Sequence, residues 1–158
     1  MINLMIDGKE IDVAEGTTVL EAAQQLNIDI PTLCHDPRLK PFGACRLCIV
    51  EIAGLPKPVT SCTTPATANM VVKTQSAKLY RLRKTTVELL LSDHPNDCMT
   101  CIGTGDCRLQ ELAYQYGIRE NRFAGEMRKH DRIDHNPFVA RDQNKCVMCG
   151  LCVRVCEE

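Results

Sequence analysis

Short runs in which apolar and polar residues alternate open the chain: INLMI at 2–6 and KEIDV at 9–13 both carry the period-2 pattern of half-buried strands. Between them, Asp7-Gly8 supplies the turn chemistry of a hairpin. The period then lengthens. Val19, Leu20, Ala23 and Leu26 fall on one helical stripe, Thr17 or Thr18 can cap it, and Glu21 stands where a capping box wants its acid. Pro31 makes the segment before Cys34 non-helical, and RLKPFG at 38–43 reads as a loop. LCIVEI at 47–52 and MVVKT at 70–74 return to strand. Strand, strand, helix, strand, strand is the order of a β-grasp domain, which is the expectation for residues 1–75.

The pattern after residue 75 is helical. A helix is predicted over 76–92, with Leu79, Leu82, Thr86, Val87 and Leu90 along one side, closing at His94 because Pro95 forces the preceding residue out of the α region. A second helix covers 107–116, with Leu109, Leu112, Ala113 and Tyr116 facing inward and Gly117 as its stop. Residues 76–117 are thus expected to form a small helical domain, 118–140 a polar wrapping linker, and 141–158 a separate cysteine-bearing module, giving an α+β chain. The basic run Lys78, Arg81, Arg83 and Lys84 reads as the solvated side of the first of these helices, with a partner-facing surface as the alternative.

Composition changes what can fill the core. Trp is absent and Phe and Tyr number three each, yet there are eleven cysteines in 158 residues. That balance suits a chain held by covalent or metal cross-links. The N-terminus MINLMIDGKEIDV has no basic start followed by a long apolar run, and VELLL is far too short to span a bilayer, so a soluble cytoplasmic protein without membrane insertion is expected. A reducing compartment disfavours disulfides, and an odd number of cysteines would leave one over, which makes metal or metal-cluster ligation the better reading. A net charge of -1 gives no electrostatic case for nucleic acid.

The cysteines fall into three groups. Cys34, Cys45, Cys48 and Cys62 are spaced C-x10-C-x2-C-x13-C, related to the plant-type [2Fe-2S] arrangement but with a longer first gap. Gly43 and Ala44 are small enough to let backbone N–H groups approach cluster sulfur; a four-thiolate zinc site is the alternative. His94, Cys98, Cys101 and Cys107, spaced H-x3-C-x2-C-x5-C between the two predicted helices, suit a single [4Fe-4S] cubane or a Cys3His zinc site. GTG at 103–105 is not a dinucleotide fingerprint, since Arg108 occupies the place of its last glycine. Cys146, Cys149, Cys152 and Cys156 give C-x2-C-x2-C-x3-C, the bacterial ferredoxin run, with no second run to complete a two-cluster module before Glu158. A longer chain, a partner, or a missing or three-cysteine cluster would each account for that.

Together, IPTLCHDPRLKPFGACRLCIVEI, HPNDCMTCIGTGDCRLQELAYQYGI and NPFVARDQNKCVMCGLCVRVCEE resemble the N-terminal iron-sulfur region shared by [FeFe]-hydrogenases, NAD(P)-linked formate dehydrogenases and the large peripheral subunit of respiratory complex I. The resemblance covers nearly the whole chain. It implies a [2Fe-2S] cluster on Cys34, Cys45, Cys48 and Cys62, a [4Fe-4S] cluster on His94, Cys98, Cys101 and Cys107, and the opening of a further [4Fe-4S] module at Cys146, Cys149, Cys152 and Cys156. Hydrogen-activating and molybdenum or tungsten domains found in the family are not in this sequence. What is present is similar to the cluster-only subunits of electron-bifurcating transhydrogenase complexes, and equally to a truncated hydrogenase or dehydrogenase subunit.

The function this implies is conduction without substrate conversion. The sequence offers no nucleotide fingerprint, flavin motif or acid-base pair, so hydride chemistry is expected in flavin- and NAD(P)-binding partner subunits of a hetero-oligomeric complex, with other iron-sulfur subunits and ferredoxin as further partners. His94 would tune its cluster, since imidazole in place of thiolate removes a negative charge and eases electron acceptance. His35 reads as an exposed histidine, with a hydrogen bond near the cluster beside Cys34 as the alternative; His130 and His135, in the linker, are assigned no role. The competing readings are a zinc-stabilised interaction module without redox activity and a free-standing ferredoxin-like carrier.

Overall fold

Asp7 and Gly8 both take positive φ, 49° and 81°, which a two-residue hairpin turn of the right twist requires. They join β1 (Ile2–Ile6) to β2 (Lys9–Val13) in antiparallel register, with Ile6 opposite Lys9 and Ile2 opposite Val13. The structure is a computed structural model and describes residues 1–123, 125, 127, 129–131, 137–138 and 142–157. His135 and part of the expected 118–140 linker lie outside the described residues.

Thr18 caps α1 (Val19–Gln25) through the expected box: its hydroxyl accepts the Glu21 N–H, and the Glu21 carboxylate accepts the Thr18 N–H at 2.7 Å. The helix ends where Asn27 turns left-handed and Ile28 N–H reaches back to the Ala23 carbonyl. β3 (Ile49–Ile52), β4 (Val59–Thr60) and β5 (Met70–Lys73) complete a five-stranded mixed sheet in the order β2-β1-β5-β3-β4. β1 runs parallel to β5, while β1 with β2, β3 with β4, and β3 with β5 are antiparallel. Leu4, Ile6, Val13, Val50, Ile52 and Val72 share one core with Val19, Leu20, Ala22 and Ala23 of α1. This is the β-grasp arrangement. The two-residue β4 was absent from the sequence pattern because so short a strand shows no alternation.

Contacts divide the chain into two compact units, residues 1–83 with 150–158, and residues 84–149. In the first unit the Asp7 carboxylate also accepts the N–H and hydroxyl of Thr74, just beyond β5. The next element, α2 (Ala77–Ser92), turns a different face inward from the one its apolar residues suggest. Leu79 and Val87 are fully buried, but Leu82 is 41% exposed, and Arg83, one helical turn after Leu79, is 5% exposed. Its guanidinium donates to the carbonyls of Leu47 (3.1 Å), Ile49 (2.6 Å) and Thr74 (3.0 Å). A solvated-face reading of the basic run therefore fails at Arg83, because the fork meets loop carbonyls that a leucine would leave unpaired. Lys78 keeps to the surface, 3.7 Å from Glu51.

In the second unit α3 (Arg108–Gln115) buries Leu109 and Leu112, with Tyr116 buried just beyond it, and closes with Gly117 N–H on the Tyr114 carbonyl and Ile118 N–H on the Ala113 carbonyl. Glu88 of α2 is buried and receives Arg122 Nε on both carboxylate oxygens, at 3.0 and 3.1 Å, and Arg122 Nη2 on Oε2. Asn144 accepts the His130 N–H at 2.9 Å and donates to the His130 carbonyl at 2.8 Å. The last helix, α4 (Leu151–Glu157), belongs to the first unit. Among the described residues no helix is long and apolar enough to cross a membrane.

These contacts set expected outcomes. Arg83→Met keeps the apolar stem but orphans buried carbonyls, so the chain loses about 3 kcal/mol of unfolding free energy in denaturant titration; a loss below roughly 1 kcal/mol would show the fork to be dispensable. Arg122 holds the Glu88 carboxyl below the usual glutamate range. A carboxyl that binds its proton less readily when folded stabilises fully above its unfolded pKa of about 4.3 and loses that contribution as pH falls through the lower folded value. Glu88→Gln is therefore less stable than the parent at neutral pH and shows a shallower loss of melting temperature on acidification.

Candidate metal centres

The first cysteine group is brought together by a loop without regular structure and by the turn that follows β4. Gly43, with φ of 67°, is buried where an added Cβ would meet Thr63 Cγ2 at 2.9 Å, so only glycine lets the loop pass. Arg46 is also left-handed, winding the chain between Cys45 and Cys48. Cys34, Cys48 and Cys62 are 1%, 1% and 2% exposed, and Cys48 and Cys62 belong to the hydrophobic core.

Within this group the sulfurs are paired. Cys48 and Cys62 lie 3.3 Å apart, and the Cys34 thiol shares a hydrogen bond with that of Cys45 while accepting the Cys45 backbone N–H at 3.4 Å. The hydrogen bond from Cys45 draws the Cys34 thiol down to about 5 against the opposing effect of burial, with the N–H groups of Cys45 and Ala44 and the charge of Arg154 adding to it. Cys45 is pushed up in return. Cys48 is likewise lowered to about 6, chiefly by Cys62, with help from the Cys62 N–H and the Ser61 hydroxyl, and Cys62 is raised. The Ser61 hydroxyl is buried without a hydrogen-bond partner among the described residues, and its nearness helps to lower the Cys48 thiol. Two neighbouring thiol pairs, each served by backbone N–H groups, suit a binuclear cluster, in which each iron takes two thiolates. Among the described residues no three His, Cys, Asp or Glu side chains converge on a single-ion site.

The second group surrounds a cavity of about 590 Å³ lined by His94, Cys98, Cys101 and Cys107 together with Gly103, Asp142 and Lys145. His94 is 9% exposed and its orientation comes from its own turn: Nδ1 accepts the Asn96 N–H at 3.3 Å, and the Asn96 side chain donates to the Leu91 carbonyl at 3.0 Å. A 3-10 turn over Cys98–Thr100 and a tight turn through Gly103 bring the next cysteines round; a Cβ on Gly103 would lie 3.8 Å from Cys101 Sγ. Cys107 is the N-cap of α3, so the positive end of that helix points at this cavity. Lys145 contacts Asp97 at 2.9 Å, each residue immediately preceding a cysteine, Cys146 and Cys98.

Of the third group, Cys146 and Cys149 are half-buried in the second unit, with Met148 left-handed between them, and Cys152 and Cys156 are exposed on α4 in the first. His35 departs from expectation: it is half-buried, and its Nε2 is buried without a partner among the described residues. The sequence pattern also passed over Arg154. This residue is 7% exposed and donates from Nη1 to the Cys34 carbonyl at 3.0 Å and from Nη2 to the Lys40 carbonyl. Its one sequence signal is a charged residue enclosed by the apolar CV and VC of the cysteine run.

Comparison with known proteins agrees with this geometry. Residues 1–77 match a 2Fe-2S iron-sulfur cluster binding domain, and residues 83–122 match the iron-sulfur binding region of NADH-ubiquinone oxidoreductase-G. The chain is 46% identical over 162 residues to the NADP-reducing hydrogenase subunit HndD of Solidesulfovibrio fructosivorans, covering 99% of this chain and 28% of the relative. It is 44% identical over 159 residues to the NADPH-Fe(3+) oxidoreductase subunit alpha of Geobacter sulfurreducens, covering 100% of this chain and 19% of that subunit. It therefore spans less than a third of the length of either relative. The crystal structure of an NAD+-reducing [NiFe]-hydrogenase in the H2-reduced state superposes with a TM-score of 0.92 at 36% identity, over 99% of this chain and 67% of that one. The chain belongs to the family of iron-sulfur modules found in NAD(P)-linked hydrogenases, related oxidoreductases and the G subunit of complex I, and it carries that family's 2Fe-2S domain and 4Fe-4S binding region.

Proposed function

We propose that this chain relays single electrons between partner subunits of a cytoplasmic, NAD(P)-linked, electron-bifurcating oxidoreductase complex. The observation that carries the reading is the donor geometry: four cysteines in one place, three of them buried and Cys45 half-buried, and an imidazole with three thiols around one cavity in the other. On this assignment Cys34 and Cys45 hold one iron of a [2Fe-2S] cluster, and Cys48 and Cys62 hold the other. His94, Cys98, Cys101 and Cys107 hold a [4Fe-4S] cluster, and Cys146, Cys149, Cys152 and Cys156 supply thiolates to a further [4Fe-4S] module. The functional segments are then 1–75, 76–117 and 141–158, joined by 118–140. Each cluster, when bound, accepts and passes on one electron. The protein's part is to present deprotonated thiols, donate N–H groups to their sulfur and keep water away. Flavin and nicotinamide chemistry belongs to the partner subunits, with ferredoxin as a further electron partner.

The test is anaerobic purification with iron, acid-labile sulfide and EPR measurements. A brown protein whose spectrum bleaches with dithionite and shows both cluster types is expected; a colourless protein containing zinc alone would overturn the proposal. Cys48→Ser should remove the [2Fe-2S] signal and spare the [4Fe-4S] signal. His94→Cys should move the midpoint potential of the [4Fe-4S] cluster downward, on the order of 100 mV, because an added thiolate makes the cluster more negative. An unchanged or raised potential would show that the imidazole is not a ligand that tunes the cluster.

A further inference from the structure

Helix α4 inverts the usual burial rule. Val153 and Val155 are 52% and 57% exposed and Cys152 and Cys156 face outward, whereas Arg154 among them is 7% exposed. The guanidinium fork is taken by the carbonyls of Cys34 and Lys40, and its carbon lies 5.1 Å from the centre of the Phe42 ring. Gly150 starts the helix where an added Cβ would touch Phe42 at 3.6 Å, so ring, guanidinium and helix start are packed as one cluster. Among the described residues no carboxylate pairs with Arg154; the acid of the adjoining loop, Asp36, is held by Arg38 at 2.8 Å. Carbonyl dipoles satisfy the donors of a buried guanidinium but do not cancel its charge, and an uncompensated buried charge is costly. A thiolate-ligated cluster on Cys34 is negatively charged and would offset that cost.

We propose that Arg154 is a positioning residue for the [2Fe-2S] centre: it holds a fixed positive charge at the carbonyl of Cys34, raising the cluster's midpoint potential, and fastens the 34–42 loop to the helix that bears Cys152 and Cys156. Reduction transfers one electron from an external donor to the cluster and breaks no bond. The product is more negative than the reactant, so a nearby cation stabilises it more and the potential rises. The inference rests on the ligand assignment proposed above for Cys34, Cys45, Cys48 and Cys62.

The test is an EPR-monitored redox titration of the anaerobically purified chain and its Arg154→Gln and Arg154→Lys variants, with the [4Fe-4S] signal of the His94, Cys98, Cys101 and Cys107 group as internal reference. Arg154→Gln should lower the [2Fe-2S] potential relative to that reference, and Arg154→Lys should restore most of the difference. Amide hydrogen exchange across residues 34–42 should quicken in both variants, since neither reproduces the two-pronged contact. A [2Fe-2S] signal of unchanged potential in Arg154→Gln, or an equal shift of the [2Fe-2S] and the reference [4Fe-4S] signals, overturns the inference while leaving the ligand assignment standing. If Arg154→Gln retains no [2Fe-2S] cluster, exchange in Arg154→Lys decides: faster exchange at 34–42 supports the positioning role, and exchange equal to the parent's refutes it. Absence of a [2Fe-2S] signal in the parent chain removes the ligand assignment itself.

Discussion

The segment from Cys34 to Cys48 carries ligand-type cysteines without a strand or helix to hold it, and it stays in place because buried guanidinium groups take its carbonyls. Arg83 reaches Leu47 and Ile49 from α2, and Arg154 reaches Cys34 and Lys40 from α4. A loop buried this deeply would otherwise carry carbonyls with no partner, each at a cost comparable to a lost hydrogen bond. Arginine suits the task better than lysine because its planar fork serves carbonyls belonging to different chain segments at once. Arg83 also takes the Thr74 carbonyl, and Thr74 is bonded to Asp7 in the first hairpin turn, so the brace is continuous from the edge of the sheet to the cysteine loop.

The two cysteine groups meet the problem of concentrated negative charge in different ways. The first lies in the apolar core, where charge is expensive, and answers with N–H donors from Ala44, Cys45 and Cys62, the Ser61 hydroxyl and the charge of Arg154. The second lines a cavity that is also bordered by the N-terminal end of α3 and by Lys145. His94 in place of a fourth thiolate would lighten the charge of the proposed cluster directly. Burial, hydrogen bonding and ligand type are separate levers on an iron-sulfur potential, and this chain places them on different sites.

What was legible in the sequence is what depends on near neighbours. The Asp7-Gly8 turn, the Thr18–Glu21 box and the Gly117 stop are each decided within a few residues, and each appears as expected. The cysteine groups were legible by spacing, but their internal pairing was not. Cys45 and Cys48 are only three residues apart, yet Cys45 lies with Cys34 and Cys48 with Cys62, and the left-handed Arg46 turns the chain between them. Charge patterning sent Arg83 to solvent and passed over Arg154 for one reason: both are buried by carbonyls distant in sequence, which no local pattern displays. His35 was misplaced by the same blindness to what folds over it.

The proposed clusters give these long-range contacts a common purpose. Thiols must be deprotonated before they bind iron, and within each pair one thiol is lowered by its neighbour while the other is raised, so one member of each pair gives up its proton the more readily. Cys34, Cys45, Cys48 and Cys62 would hold the irons as thiolates, so cluster binding would be coupled to the loss of their protons and to the ordering of the 34–48 loop. Braces such as Arg83 then favour assembly by holding the loop near its loaded shape, which reduces the conformational entropy left to be lost when the cluster binds.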